Sequence, residues 1–167
     1  MRQLSLPGMS AIRGLALIAA ITAVGLVFTC TAPSASGRAA ATVKVGLATG
    51  GDPTKLTRSV GVTKAGKVTF VVHNYSNLPH KSYGVPDAPE GHELVVLKTN
   101  LAPNKLRVDH KNGDTAIETG RIGRPLVLEP GKEGTVTLTL KPGRYVLICN
   151  LYGHYAAGQY ASFKVVP

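Results

Sequence analysis

The chain has 167 residues, 44% of them hydrophobic and 17% charged, with 19 Lys+Arg against 9 Asp+Glu. That length suits one domain, and the apolar fraction is too high for a disordered polymer. The 19 Gly and 11 Pro argue against a helical bundle, and two Cys exclude a disulfide-stapled scaffold. Six Tyr, three Phe and no Trp argue against a nucleic-acid or sugar binder that stacks several rings.

Arg2 and Arg13 precede an uncharged run from Gly14 to Thr29, followed by the small-residue stretch TAPSASGRAAAT. A basic leader, an apolar run and small residues predict a helical signal peptide and linker over residues 1–41. The run is short for a full membrane span of about 20 residues, which favours cleavage over a retained anchor. A cut between Ala35 and Ala41 is the simpler processing. Cys30 closes the run and leaves lipid attachment open, although Val27-Phe28-Thr29 fits that processing poorly. The protein is therefore expected outside the cytoplasm, in the periplasm, secreted or at the cell surface. A membrane would be reached only through an uncleaved segment or a lipid on Cys30.

Removal of residues 1–41 takes Arg2, Arg13 and Arg38 but no acid, leaving 16 basic against 9 acidic side chains, a net +7. Such a charge draws acidic partners. The remaining chain holds one Cys, Cys149, and no Met. A lone thiol in an oxidising compartment needs protection, by burial or by a metal.

From residue 42 to 167 the apolar pattern has period two, and no stretch keeps a helical period for three turns. Strands are expected at Val43–Val45, Lys67–Val72, His92–Lys98, Thr135–Leu140, Arg144–Ile148 and Tyr160–Val166. Thr49 to Thr57 reads as a turn or loop. Thr99 to Pro130 is less regular and is expected to hold one or two short strands and a long surface crossover. Seven or eight strands in this space predict an all-β, two-sheet Greek-key sandwich.

The chemistry-bearing residues sit near the C-terminus, in CNLYGHYAAGQY. A strand delivers Cys149, a Gly-containing loop brings in His154, and Gln159 opens the returning strand, giving Cys-x4-His-x4-Gln. A thiolate and an imidazole on one loop can share an ion if a third donor arrives from elsewhere, and His92 and His80 are the candidates. Two His and one Cys with a weak axial donor is a set that suits copper.

With these residues the chain resembles the cupredoxins, or type 1 (blue) copper proteins, and within them small secreted bacterial members of the plastocyanin and azurin class. The likeness runs from about Lys64 to Pro167, through VTFVVHN, HELVVLKTN and YVLICNLYGHYAAGQY, of which the last is the specific one. It implies one copper ion, single-electron transfer between redox partner proteins, and a monomer without enzymatic activity. It also implies that Cys149 and His154 fill the thiolate and C-terminal imidazole positions. The axial Met of the family is replaced by Gln159, whose harder oxygen favours the oxidised ion, or whose presence marks a site that has lost its metal. For the remaining imidazole, NYSNLPH places His80 where the family has Pro-His. His92 is nonetheless favoured, because ELVVLKTN follows it as the strand that should follow the ligand, with Lys81 to Gly91 an insertion.

Other readings stand beside these. His73 lies in an alternating strand and reads as a half-buried polar residue, and His110 as a solvated one. Tyr145, Tyr152, Tyr155 and Tyr160 read mostly as packing, with Tyr152 and Tyr155 able to line an exit for electrons beside His154. No G-x-S-x-G supports a serine hydrolase. Cys149 and His154 on one tight loop suit a shared ion better than a hydrolase dyad. Structural zinc wants four firm donors, and no His-x-His pair supports a multicopper oxidase. The alternatives to electron transfer are extracytoplasmic copper carriage or buffering and a metal-free binding module. The lack of Met or of a His run disfavours carriage.

Overall fold

The computed structural model describes residues 39–76 and 91–167. Among them, eleven strands follow in chain order. The first five are β1 (Ala41–Leu47), β2 (Leu56–Arg58), β3 (Val62–Lys64), β4 (Gly66–Asn74) and β5 (His92–Lys98). The others are β6 (Val108–Asp109), β7 (Thr115–Ala116), β8 (Leu126–Leu128), β9 (Glu133–Leu140), β10 (Gly143–Ile148) and β11 (Tyr160–Val166). One sheet has the order β2-β1-β4-β9, the other β3-β11-β10-β5-β8, and β6-β7 forms a small ribbon. This is the expected all-β sandwich. The leader up to residue 38 lies outside the described residues, as does His80.

The six expected strands are all present. The others were illegible for a simple reason. β6 and β7 have two residues each and β2, β3 and β8 have three, too few for a period of two to register. Thus the count exceeds the seven or eight expected, Leu56–Arg58 pairs with β1 at the end of the expected loop, and the 99–130 stretch holds three short strands.

Burial explains why the strands look different from one another. β9 reads EGTVTLTL, with Thr135, Thr137 and Thr139 exposed and the aliphatic residues turned inward. β5 and β10 are apolar on both faces because both faces are covered. Leu94, Val96, Tyr145 and Leu147 join the core between the sheets, which also holds Val43, Val68, Phe70 and Phe163. Val95, Leu97, Val146 and Ile148 point the other way, onto Leu106, Ala116 and Tyr155. The irregular crossover is therefore a second layer that roofs the strands leading to the site.

Phe70 is fully buried and meets Phe163 edge-on, with ring centroids 5.6 Å apart. Phe70→Ala should cost about 3–5 kcal/mol in denaturant unfolding, whereas Thr139→Ala on the outer face should stay within about 0.5 kcal/mol.

Candidate metal centre

Strand register brings the sequence-distant donors together. Ile148 of β10 pairs with Tyr160 of β11 on one side and with Val95 of β5 on the other. Cys149 follows β10, Gln159 precedes β11, and His92 opens β5, so all three meet at one end of the five-stranded sheet. The Cys149 N–H donates to the Gln159 carbonyl at 3.0 Å, closing the hairpin across the loop that carries His154. Gly153 and Gly158 take φ of +76° and +108° in that loop, conformations that side chains with a Cβ resist.

His92, Cys149 and His154 present donor atoms that all lie within 4.8 Å of one another. Cys149 Sγ is 3.2 Å from His154 Nδ1 and 3.7 Å from His92 Nδ1. Metal–donor bonds of about 2.0–2.3 Å place the donors of a trigonal set about 3.5–4.0 Å apart, so one ion fits with modest movement. Both imidazoles turn the same nitrogen, Nδ1, toward the sulfur. His92 and Cys149 are fully buried and His154 is half-buried.

Gln159 is fully buried, and its orientation is determined by its neighbours. Its Nε2 donates to the Pro53 carbonyl at 2.9 Å, an oxygen that can only accept. Oε1 therefore faces the site, 2.9 Å from His92 Nδ1, whose N–H it accepts. A metal bound at that nitrogen would replace this proton.

A shell of hydrogen bonds braces the donors. The Glu93 N–H donates to Cys149 Sγ at 3.3 Å. Asn74, fully buried, donates from Nδ2 to the Leu128 carbonyl, and Leu128 pairs with His92 in the sheet. Asn150 accepts from the Ala116 N–H at 2.6 Å and donates to the Ala116 carbonyl and to Glu118. The Gly153 N–H reaches the Gly113 carbonyl at 2.7 Å. Tyr155 accepts from the Leu106 N–H and donates to the Pro103 carbonyl. The crossover thus clamps the His154 loop at three points. The Glu93 carboxyl is pushed above its usual range, first by burial and then by nearby Glu118.

Other expected roles resolve individually. His73 is half-buried, packed at a tilt against Tyr75 and 3.8 Å from Glu133, while His110 bonds Asp114 at 2.7 Å on the surface. Neither joins the donor group. Tyr152 is 60% exposed beside the His154 loop, but Tyr155 is only 4% exposed. Tyr155 is therefore a clamp and not part of an exit surface, because its hydroxyl is drawn inward by two backbone partners. The Pro53 carbonyl and the Asn150 amide were missed from sequence. The first is a backbone atom without a signature, and the second is read only once Ala116 is known to lie opposite.

No family model matches the sequence, and no curated protein matches it. Solved structures do. Rusticyanin from Thiobacillus ferrooxidans superposes with a TM-score of 0.54 at 14% identity, over 75% of this chain and 76% of that one. Auracyanin A, a "blue" copper protein from the green thermophilic photosynthetic bacterium Chloroflexus aurantiacus, superposes with a TM-score of 0.50 at 18% identity, over 75% and 98%. The fold of this chain is that of the blue copper cupredoxins. Its group of two His and one Cys fits one type 1 copper ion.

Tyr155→Phe leaves the buried Leu106 N–H without its acceptor and should cost about 1–3 kcal/mol. Amide hydrogen exchange over residues 150–158 should quicken in that variant, while the exchange of β1 and β4 stays as in the parent.

Proposed function

We propose that the chain is an extracytoplasmic electron carrier. His92 Nδ1, Cys149 Sγ and His154 Nδ1 would hold one copper ion, with Gln159 Oε1 as a further donor. The observation that carries this reading is the convergence of those three side chains, from β5 and the loop after β10, within 4.8 Å. Copper bound there would supply a one-electron couple. The chain's own residues do the rest. Burial of His92, Cys149 and Gln159 excludes water. The Glu93 N–H stabilises the sulfur as thiolate, and the clamp on the His154 loop holds the donors near one arrangement. Such pre-set geometry suits an ion that changes charge in place and is retained, which favours transfer over carriage or buffering. His154, the half-buried donor, is the side offered to redox partner proteins. No substrate pocket is required, so a catalytic role is not part of the proposal.

Export rests on the leader in the sequence. Among the described residues no helix is long and apolar enough to cross a membrane. Ala41 already pairs with Val68, so a cut at or before Ala40 would leave β1 whole.

Cu(II)-loaded protein should show intense thiolate-to-copper absorption in the visible, abolished in Cys149→Ser. His92→Ala should remove or greatly weaken the band and His80→Ala should leave it. A colourless complex with undiminished affinity in Cys149→Ser would overturn the assignment. Gln159→Met should raise the reduction potential by at least about 59 mV, the equivalent of a tenfold change in relative affinity for the two oxidation states. An unchanged potential would remove Gln159 from the donor set.

A further inference from the structure

Charge is sorted along the long axis of the sandwich. β1, β4, β5, β9, β10 and β11 all run between the donor end and the opposite pole. At that pole lie Lys64 at the end of β3, Lys67 near the start of β4 and Lys98 at the end of β5. Lys141 and Arg144 flank the β9–β10 turn, and Lys164 pairs directly with Arg144. All six are exposed, and none forms an ion pair with a described acid. No described acidic residue lies at that pole. The seven described acids occur instead toward the donor end. Asp52 precedes Pro53, Glu93 follows His92, and Asp109, Asp114 and Glu118 sit on the crossover that clamps the His154 loop. Glu129 and Glu133 flank the turn that meets Asn74.

The same pole is where the chain enters the fold. Ala41 pairs with Val68 there, and a cleft of about 350 Å³ lies between Ala39, Ala41, Gly66 and the flanking Lys64 and Lys67. In sequence, the chain before Ala39 leads back through Arg38 to the apolar run Gly14–Thr29. Any attachment through that run or Cys30 therefore joins the fold on its all-cationic side. A cationic face without acids, placed beside the point of attachment, matches an anionic membrane surface, where clustered Lys and Arg add their attractions within a Debye length.

We infer that the pole formed by Lys64, Lys67, Lys98, Lys141, Arg144 and Lys164 docks on anionic lipid headgroups, with the donor end turned away from the bilayer. The inference does not rest on the copper reading. It holds for a retained chain, whose leader supplies the first contact, and for a released one, which would bind reversibly.

The test is co-sedimentation of the full chain with phosphatidylglycerol and with phosphatidylcholine vesicles at about 0.1 M salt, where the Debye length is about 10 Å. The leader's apolar run acts on both lipids, so the ratio of affinities reads charge. The parent should favour phosphatidylglycerol at least tenfold. Replacing all six residues with Gln should reduce that ratio at least tenfold, leaving the share of the leader's arginines and of the remaining scattered cations. A control set that removes four cations from the donor end, Lys55→Gln, Arg107→Gln, Lys111→Gln and Lys132→Gln, should change it less than twofold. The triple variant Lys98→Gln, Arg144→Gln and Lys164→Gln should give about half of the logarithmic loss, and it serves should the larger variant fold poorly. An unchanged ratio in the six-residue or triple variant, or equal losses from the two sets, overturns the inference. So does loss of binding to soluble polyglutamate with the lipid ratio intact, which would assign the face to an acidic protein.

Discussion

Everything at the donor end depends on the register of three adjacent strands. β10 lies between β11 and β5, and the pairs Ile148–Tyr160 and Ile148–Val95 fix where Cys149 emerges relative to Gln159 and His92. A slip of one residue in β10 would turn Cys149 toward the crossover and exchange the core set of Tyr145 and Leu147 for Val146. Such a slip is penalised along the whole strand, because β10 is packed on both faces and its two sets of side chains differ in shape. The register is thus enforced by hydrophobic burial well away from the donors, and the donors inherit its precision.

Burying polar groups at the end of a small core demands that each be satisfied. A hydrogen bond contributes about 1 kcal/mol net, while a buried group left without one costs about 1–3 kcal/mol, so the penalty for a lost partner is the larger effect. Gln159 uses both ends of its amide, on Pro53 and His92, and Asn74 joins the Leu128 carbonyl to the Ser76 N–H. These bonds hold the donors in position before any ion arrives. An ion entering the proposed site would therefore find a geometry already close to the one it needs, with less ordering left to offset.

How far this was legible in the sequence differs by the range of the interaction. Long strands with one covered face announced themselves by alternation, as in Thr135–Leu140. β5 and β10 were found through their apolar runs, and their two-sided burial became clear only with the crossover in place. Cys149, His154 and Gln159 were readable because they share one loop with fixed spacing. His92 was reached through resemblance and the strand that follows it, since nothing local in Gly91-His92-Glu93 reveals a neighbour fifty-seven residues away. The Pro53 carbonyl, the Asn150 tie and the inward turn of Tyr155 depend on chain segments that only tertiary packing brings together. No pattern of residue types along one strand encodes them.

Charge is the clearest case of information that the sequence contains and does not order. A net +7 for residues 42–167 says that acidic surfaces attract the protein, but not which end they meet. A six- or seven-residue strand spans about 20 Å, more than two Debye lengths at physiological salt, so the two ends interact with their surroundings almost independently. The cations without acids lie far from His154, and the acids lie near it, mixed with Lys55, Arg107, Lys111 and Lys132. The sign felt by a molecule approaching the half-buried imidazole is then set by that local mixture, not by the excess counted over the chain. An overall basic charge is compatible with a donor end that carries no cationic excess, and orientation on a charged surface can be separated from recognition at the site.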